Sequence, residues 1–445
     1  MQLRPTSTLR LIGPAAILSF AAWSSSSLPV PPASSPVGTA AVPVAPPRAA
    51  YPATASPDRV VLTLAADPAT TVEVCWRTDA SVAEGVVEFA RATPGPKFVK
   101  SIESRAAATT TFGLEGEEVH RHHVQLSGLE PETAYVYRVG SESGWSEWYQ
   151  FRTASAERQP FRFVYFGDAQ NRIRDHWSRV VRGAALDAPD AAFLLHAGDL
   201  VNVSEADAEW GEWFGAGAWL NAMLPQLATP GNHEYRKGVL SSHWRPQFAF
   251  PENGPEGLEE TVYWLDYQGV RFVSLNTLEN VEAQIDWLPD VLAAGDPSWT
   301  VVFLHFPLFS AAKGRDNAEL RAALKPIFDE FGVDLVLQGH DHAYMRTGLE
   351  TPLNVEDGAQ VLSGNTVYVV SVSGPKMYTA AEREFARSSA AGVQLYQVID
   401  VEGEQLRYRA HSADGPVYDA FVLHREEDGT NSLEEIAPET AEGWR

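Results

Sequence analysis

The sequence predicts an all-β sandwich followed by an α/β domain with buried, partly parallel strands. Two patterns carry this. Short alternating apolar runs separated by turns fill the chain from about Arg59 to Thr153, the period-2 signature of half-buried strands. From Phe161 onward, strand-like runs alternate with helical patterns, as in βα units. A third observation concerns chemistry. Five short polar motifs stand at or just beyond strand-like runs: Gly167-Asp168-Ala169-Gln170, Gly198-Asp199-Leu200, Gly231-Asn232-His233-Glu234, the single His305, and Gly339-His340-Asp341-His342.

Arg4 and Arg10 precede an apolar stretch from Leu11 to Trp23. It contains Pro14 and is short for a membrane span, so residues 1–27 read as an export signal and the protein as secreted or periplasmic. No membrane span is expected once the signal is removed. Residues 28–57 are rich in Pro, Ala, Ser and Val without periodicity and read as a linker.

Residues 58–154 supply the sandwich. Val60–Leu64, Thr71–Trp76 and Gly85–Phe89 are typical runs. Leu129-Glu130-Pro131-Glu132-Thr133-Ala134-Tyr135 then leads into an alternating strand. This resembles the fibronectin type III sandwich, whose tyrosine pins a corner. Trp145, Trp148 and Tyr149 are assigned to the core. His120, His122 and His123 cluster, but adjacent strand residues face opposite ways, so a surface strand is favoured over a metal site.

Ser155 to Pro160 reads as the domain linker, and 161–424 as the second domain. Its strand-like runs are Phe161–Phe166, Ala191–Leu195, Thr261–Tyr267, Val270–Asn276, Thr300–His305, Asp334–Gln338 and Thr366–Val372. Its helical patterns are Asp175–Leu186, Ala208–Met223, Val281–Ala293 and Asn317–Phe331. Trp210, Trp213 and Trp219 recur at roughly helical spacing and are read as a buried helix face. Antiparallel strands follow from Gly392, and residues 425–445 read as a loose acidic tail.

Composition narrows the function. With 44% apolar and 21% charged residues in 445, the chain can bury two ordinary globular cores. A net charge of −24 repels nucleic acid and anionic membranes, and no nucleic-acid-binding surface is evident. A polyanionic substrate would need a local positive centre, which bound metal ions provide. The single cysteine, Cys75, excludes an intrachain disulfide and any thiolate-rich metal site.

Carboxylate, carboxamide and imidazole suit hard or borderline cations. Two such ions about 3.5–4 Å apart can clamp a phosphoryl group and activate a bridging water. Asp199, set after a strand and a glycine, is the candidate carboxylate shared by both. Asn232 offers an amide oxygen, and His340 and His342 can reach neighbouring ions from one loop. In strand-ended α/β folds, ligands gather at the carboxyl ends of strands.

The order GD, GD, GNHE, H, GHxH resembles the calcineurin-like metallophosphoesterase superfamily. The preceding sandwich and Gly339 to Arg346 make the chain similar to purple acid phosphatases. The resemblance spans roughly residues 59–424 and implies two facing mixed β-sheets flanked by helices. It implies one metal held by Asp199, Asn232, His305 and His340, and another held by Asp168, Asp199 and His342. It gives His233 the task of protonating the leaving group or steadying the phosphate. The cofactors implied are two divalent or mixed-valence ions (Fe, Mn or Zn). The substrate is a small-molecule phosphate ester, with a monoester favoured over a diester or nucleotide; a binding module that kept the fold is the alternative.

Two positions depart from the family pattern. Asn202 stands where purple acid phosphatases place a tyrosine, and Gln170 stands where other members place a histidine. Either amide could be a ligand, and without a phenolate no purple colour is expected.

Overall fold

The computed structural model describes residues 50–114, 116–353 and 361–444. Residues 1–27, read above as an export signal, and most of the proposed linker lie outside them. Among the described residues, no helix is long and apolar enough to cross a membrane.

The N-terminal module consists of antiparallel strands in two sheets. One contains Asp58–Leu64, Val72–Asp79, Glu117–Leu126 and Ala108–Leu114; the other contains Val86–Arg91, Glu103–Ala106, Ala134–Ser141 and the short strands after it. Alternate residues from both sheets, among them Leu62, Val74, Trp76, Val87, Phe89, Tyr137 and Val139, form one apolar cluster. Tyr135 Oη accepts from the Glu130 backbone N–H at 2.9 Å, which fastens the corner that the Leu-x-Pro-x-Thr-x-Tyr pattern predicts. His122 is buried rather than surface-lying, with Nε2 2.8 Å from Thr78 Oγ1. Trp145 and Trp148 are not core. They flank the Arg138 guanidinium, at 4.4 and 4.7 Å from their ring centroids, and this cation–π sandwich lets both rings stay half-exposed.

The second domain has two mixed sheets. In the first, Phe161–Phe166 pairs in parallel with Leu194–His196, which pairs with Gln226–Ala228. On its other side, Phe161–Phe166 pairs antiparallel with Leu395–Glu402. The second sheet runs Tyr263–Tyr267, Val270–Leu275, Trp299–Leu304, Leu335–Gln338, Val367–Val370, Tyr344–Thr347, Ala386–Ala390. The parallel strands have the near-continuous burial expected when both faces are covered. Phe163, Tyr165 and Leu195 meet Val301, Phe303 and Leu337 in a shared core. Helices Val281–Ala293 and Ala318–Phe331 cover the far side of the second sheet, packing on Val302, Leu304 and Val336.

Three further features differ from the sequence expectations. The two domains share a sheet: Asp58–Leu64 pairs in parallel with Gln226–Ala228 at Thr63↔Gln226, giving eleven continuous strands. The helix expected over Ala208–Met223 is two, Asp207–Gly217 and Trp219–Met223, broken where Ala218 takes φ 45°. Trp210 and Trp213 are fully buried as expected, but beyond the break Trp219 is 57% exposed. The tail is ordered: Asn431–Glu435 extends the first sheet beside Val417–Arg425, and helix Pro438–Ala441 follows. Its acidity is partly internal pairing, since Glu435 Oε2 accepts from Arg346 Nη2 at 2.6 Å.

Candidate metal centre

The motif residues converge at the carboxyl ends of the central strands of both sheets. Asp168 follows Phe161–Phe166, Asp199 follows Leu194–His196, and Asn232 follows Gln226–Ala228. From the facing sheet come His305, after Trp299–Leu304, and His340 and His342, after Leu335–Gln338. The chain gathers them by packing two sheets face to face, each contributing side chains at the same edge.

Close approach explains two of the glycines. A Cβ at Gly231 would lie 2.2 Å from Asp199 Oδ1, and one at Gly339 would lie 2.5 Å from Asp168 Oδ1. Any larger residue would push into the carboxylates. Asp199 and His340 themselves adopt left-handed backbone, with φ 51° and 70°. Such strain costs about 1–3 kcal/mol per residue and concentrates at functional sites. Glu234 holds the loop around Asp199. Fully buried, it accepts from the backbone N–H groups of Asp199, Leu200 and Gly231 at 2.8, 2.8 and 2.7 Å. Burial and the Asp199 charge raise its pKa to about 8, against the pull of those donors.

Two groups of ligand atoms lie within 4.8 Å of one another: Asp199, His305 and His340, and Asp168, Asp199 and His342. Asp199 belongs to both. Asn232 Oδ1 joins the first group, 3.1 Å from His305 Nε2. His305 commits Nδ1 to the Ala197 carbonyl at 2.8 Å, and His342 commits Nδ1 to the Lys376 carbonyl at 2.9 Å. Each therefore turns Nε2 inward, to Asp199 Oδ1 at 3.3 Å and to Asp168 Oδ2 at 3.1 Å. A ligating histidine is ordinarily oriented in this way through its other nitrogen.

The residues fit cations. Asp168 Oδ2 is buried and receives no hydrogen bond, an expensive arrangement unless a positive charge faces it. Burial opposes the ionisation of Asp168, but His342, His305 and His340 outweigh it and hold the carboxyl well below its usual range. Burial likewise opposes charging of His305, yet Asp199 and Asp168 raise its pKa to about 9. In both cases the two buried carboxylates draw positive charge into the site, the charge that a metal would supply.

The remaining candidates fall into place around this pair. Gln170 is fully buried inside the site, its Nε2 2.7 Å from Asp199 Oδ2 and 3.2 Å from His342 Nε2. In this orientation the amide donates to Asp199; its oxygen is engaged by Asn171 Nδ2 at 3.1 Å. Asn202 participates through its backbone, its carbonyl 2.6 Å from His233 Nδ1. The His233 backbone N–H donates to Asp199 Oδ1 at 2.8 Å. His196 is packed between Trp177 and Trp213 with Nε2 2.9 Å from Gln226 Oε1. Tyr344 and Arg346 are structural, both bound to buried Asp419. Sequence reasoning missed Arg315 and Tyr378. Arg315 lies against His340 and Asp341, and the Tyr378 ring stands 4.8 Å from that of His342. Both sit on irregular segments where no periodicity marks them.

Residues 57–153 match the family model for the purple acid phosphatase N-terminal domain, and residues 161–344 match that for calcineurin-like phosphoesterases. The chain belongs to the purple acid phosphatase-like calcineurin-type metallophosphoesterases. It is 27% identical over 356 residues to an uncharacterized protein of Mycobacterium tuberculosis, covering 68% of this chain and 67% of that one. It is 28% identical to acid phosphatase type 7 of Homo sapiens, covering 66% and 71% of the two chains. With purple acid phosphatase 15 of Arabidopsis thaliana the identity is 28%, over 51% and 49%. Among solved structures, a purple acid phosphatase from yellow lupin seeds superposes with a TM-score of 0.68 at 19% identity, over 84% of this chain and 75% of that one. This metallophosphoesterase is thus a phosphoesterase hydrolase, and its family implies divalent metal ions. The Asp/His groups are the residues that would hold them.

Proposed function

We propose that the enzyme hydrolyses phosphomonoesters at a two-cation centre. The supporting observation is Asp199, one carboxylate shared by two converging ligand groups. Asp199, Asn232, His305 and His340 would hold one ion, and Asp168, Asp199 and His342 the other. Fe, Mn and Zn all suit this donor set. When bound, such a pair activates water and neutralises charge on the phosphoryl oxygens.

The protein's own residues supply position and a proton. Orientation by Ala197 and Lys376 fixes the tautomers of His305 and His342, with Nδ1–H donating outward. His233 is fixed in the same sense, giving Nδ1–H to the Asn202 carbonyl and leaving Nε2 to carry a proton to the departing alkoxide. Its half-buried setting beside Asp199 suits that exchange. Loss of a general acid costs about 10²–10⁴-fold. His233→Ala should therefore lower kcat on an alkyl phosphomonoester, whose alkoxide needs a proton to leave, by about 10²-fold or more with metal content unchanged. A fall confined to KM would refute the proton role.

Release of p-nitrophenol from mono- and bis-p-nitrophenyl phosphate, after chelation and return of Mn²⁺, Fe²⁺ or Zn²⁺, tests the whole reading. We expect metal-dependent turnover that is faster on the monoester. No metal-restored turnover on either ester would overturn it. Because Asn202 replaces the phenolate, the metal-loaded enzyme should show no intense visible charge-transfer band, and Asn202→Tyr should introduce one with ferric iron. A strong band in the wild-type spectrum would contradict this. The charged and apolar N-terminal pattern, Arg4 to Trp23, supports action in the periplasm or outside the cell.

A further inference from the structure

Arg315 lies on the segment between strand Trp299–Leu304 and helix Ala318–Phe331. Its Nη2 sits against His340 Nε2, and its Nε against Asp341 Oδ1. The guanidinium carbon stands 5.2 Å from the Tyr378 ring centroid. Asp341 is buried to 1% exposure while Arg315 retains 36%. One edge of the guanidinium is therefore anchored in the protein, and the rest borders the open side of the site.

The His340 contact is exclusive with metal ligation. A guanidinium only donates, and a neutral imidazole has one lone pair. His340 can give that pair to Arg315 or to a cation. If the cation takes Nε2, Arg315 is displaced directly. If it takes Nδ1, the ring proton moves to Nε2 and meets the Arg315 N–H donor to donor. Either way Nη2 loses its acceptor, while Asp341 and Tyr378 still hold the side chain at the rim.

We propose that Arg315 is a substrate-recognition residue: in the metal-loaded enzyme it exchanges His340 for the phosphoryl oxygens of the ester. This rests on the hydrolase reading above and deepens it by naming the residue that selects the monoester. A planar fork of donors matches the terminal oxygens of a dianionic phosphomonoester. A diester offers one negative charge and fewer free oxygens. Lys376, with Nζ 5.6 Å from the centroid of the Tyr378 ring, adds positive charge to the same rim.

The test compares wild type with Arg315→Gln and Arg315→Lys, each loaded with Mn²⁺ or Zn²⁺. Metal content is measured first, then binding of inorganic phosphate by calorimetry, then kcat/KM on both p-nitrophenyl esters. For Arg315→Gln we expect full metal content, a phosphate Kd raised about 10- to 100-fold, and a comparable fall on the monoester. Diester turnover should change far less, and Arg315→Lys should be intermediate. Unchanged phosphate affinity with both ions present overturns the proposal. So does loss of metal, which would make Arg315 a positioning residue for His340, and so does an equal fall on both esters. Wild-type protein that binds phosphate but cleaves neither ester would instead sink the hydrolase reading; the phosphate Kd of the variants still judges Arg315.

Discussion

Replacing Asp199 with asparagine is expected to leave the protein folded and to lower kcat/KM on a phosphomonoester at least about a thousand-fold. The substitution conserves shape. An Asn side chain still offers Oδ1 to the His233 N–H, and Asn tolerates the left-handed backbone at φ 51° better than most residues. Gln170, whose Nε2 faces Asp199 Oδ2 at 2.7 Å, can turn its amide to meet the new NH₂ group. What disappears is the charge shared by both ligand groups. Lewis-acid stabilisation of this kind is worth several kcal/mol, and each 1.36 kcal/mol is tenfold in rate. Metal analysis should show fewer than two ions per chain, with circular dichroism and Tm near wild type. Two retained ions with near-native turnover would show that Asp199 does not bridge.

How much of this was readable in advance depended on what each residue does to the backbone. The candidate ligands Asp168, Asp199, Asn232 and His340 each follow a glycine, and all, like His305, stand at or just beyond apolar runs; those marks survive in one dimension. Helix Val281–Ala293 and strand Phe161–Phe166 were legible for the same reason, a long clean period. The pairing of Thr63 with Gln226 was not. Strand partners chosen across 163 residues leave no local trace, and a fully buried strand reads alike in a sandwich or in a larger sheet. The ordered tail was hidden by composition: Glu435 reads as solvated charge until Arg346, distant in sequence, is brought against it. Arg315 was invisible for a related reason. Its partners His340 and Asp341 belong to a motif already explained, and its own loop has no pattern.

The largest effect on stability should come from Asp207, which has no part in the chemistry. It begins helix Asp207–Gly217 in the phosphoesterase domain. Its carboxylate receives Arg59 Nη1 and Nη2 at 2.6 and 2.7 Å and Arg77 Nη1 at 3.3 Å, both from strands of the N-terminal module. Arg121 adds a third buried cation, tied to Gln247 Oε1 at 3.1 Å. Burial alone would raise the Asp207 pKa, but Arg59, Arg77 and Arg121 overcome it and lower the value. Asp207→Asn would strip Arg59 of its counter-charge and leave Arg121 nearby uncompensated, while Arg77 keeps Asp58 at 2.8 and 2.5 Å. Breaking a buried pair in this way costs about 3–5 kcal/mol. Urea unfolding at pH 7 should show that loss, and metal content in the folded fraction should stay the same. The folded pKa lies below the unfolded carboxylate value of about 3.9. The Asp207 contribution is therefore present above that pH and is lost as pH falls through the folded value, so wild type and variant should converge in strong acid. Adding Arg59→Met to Asp207→Asn should recover part of the loss, because it removes one of the cations left unpaired. A change under about 1 kcal/mol, the scale of a surface ion pair, would mean that the junction is held by its shared sheet and apolar contacts, with Asp207 only neutralising charge that the arginines brought in.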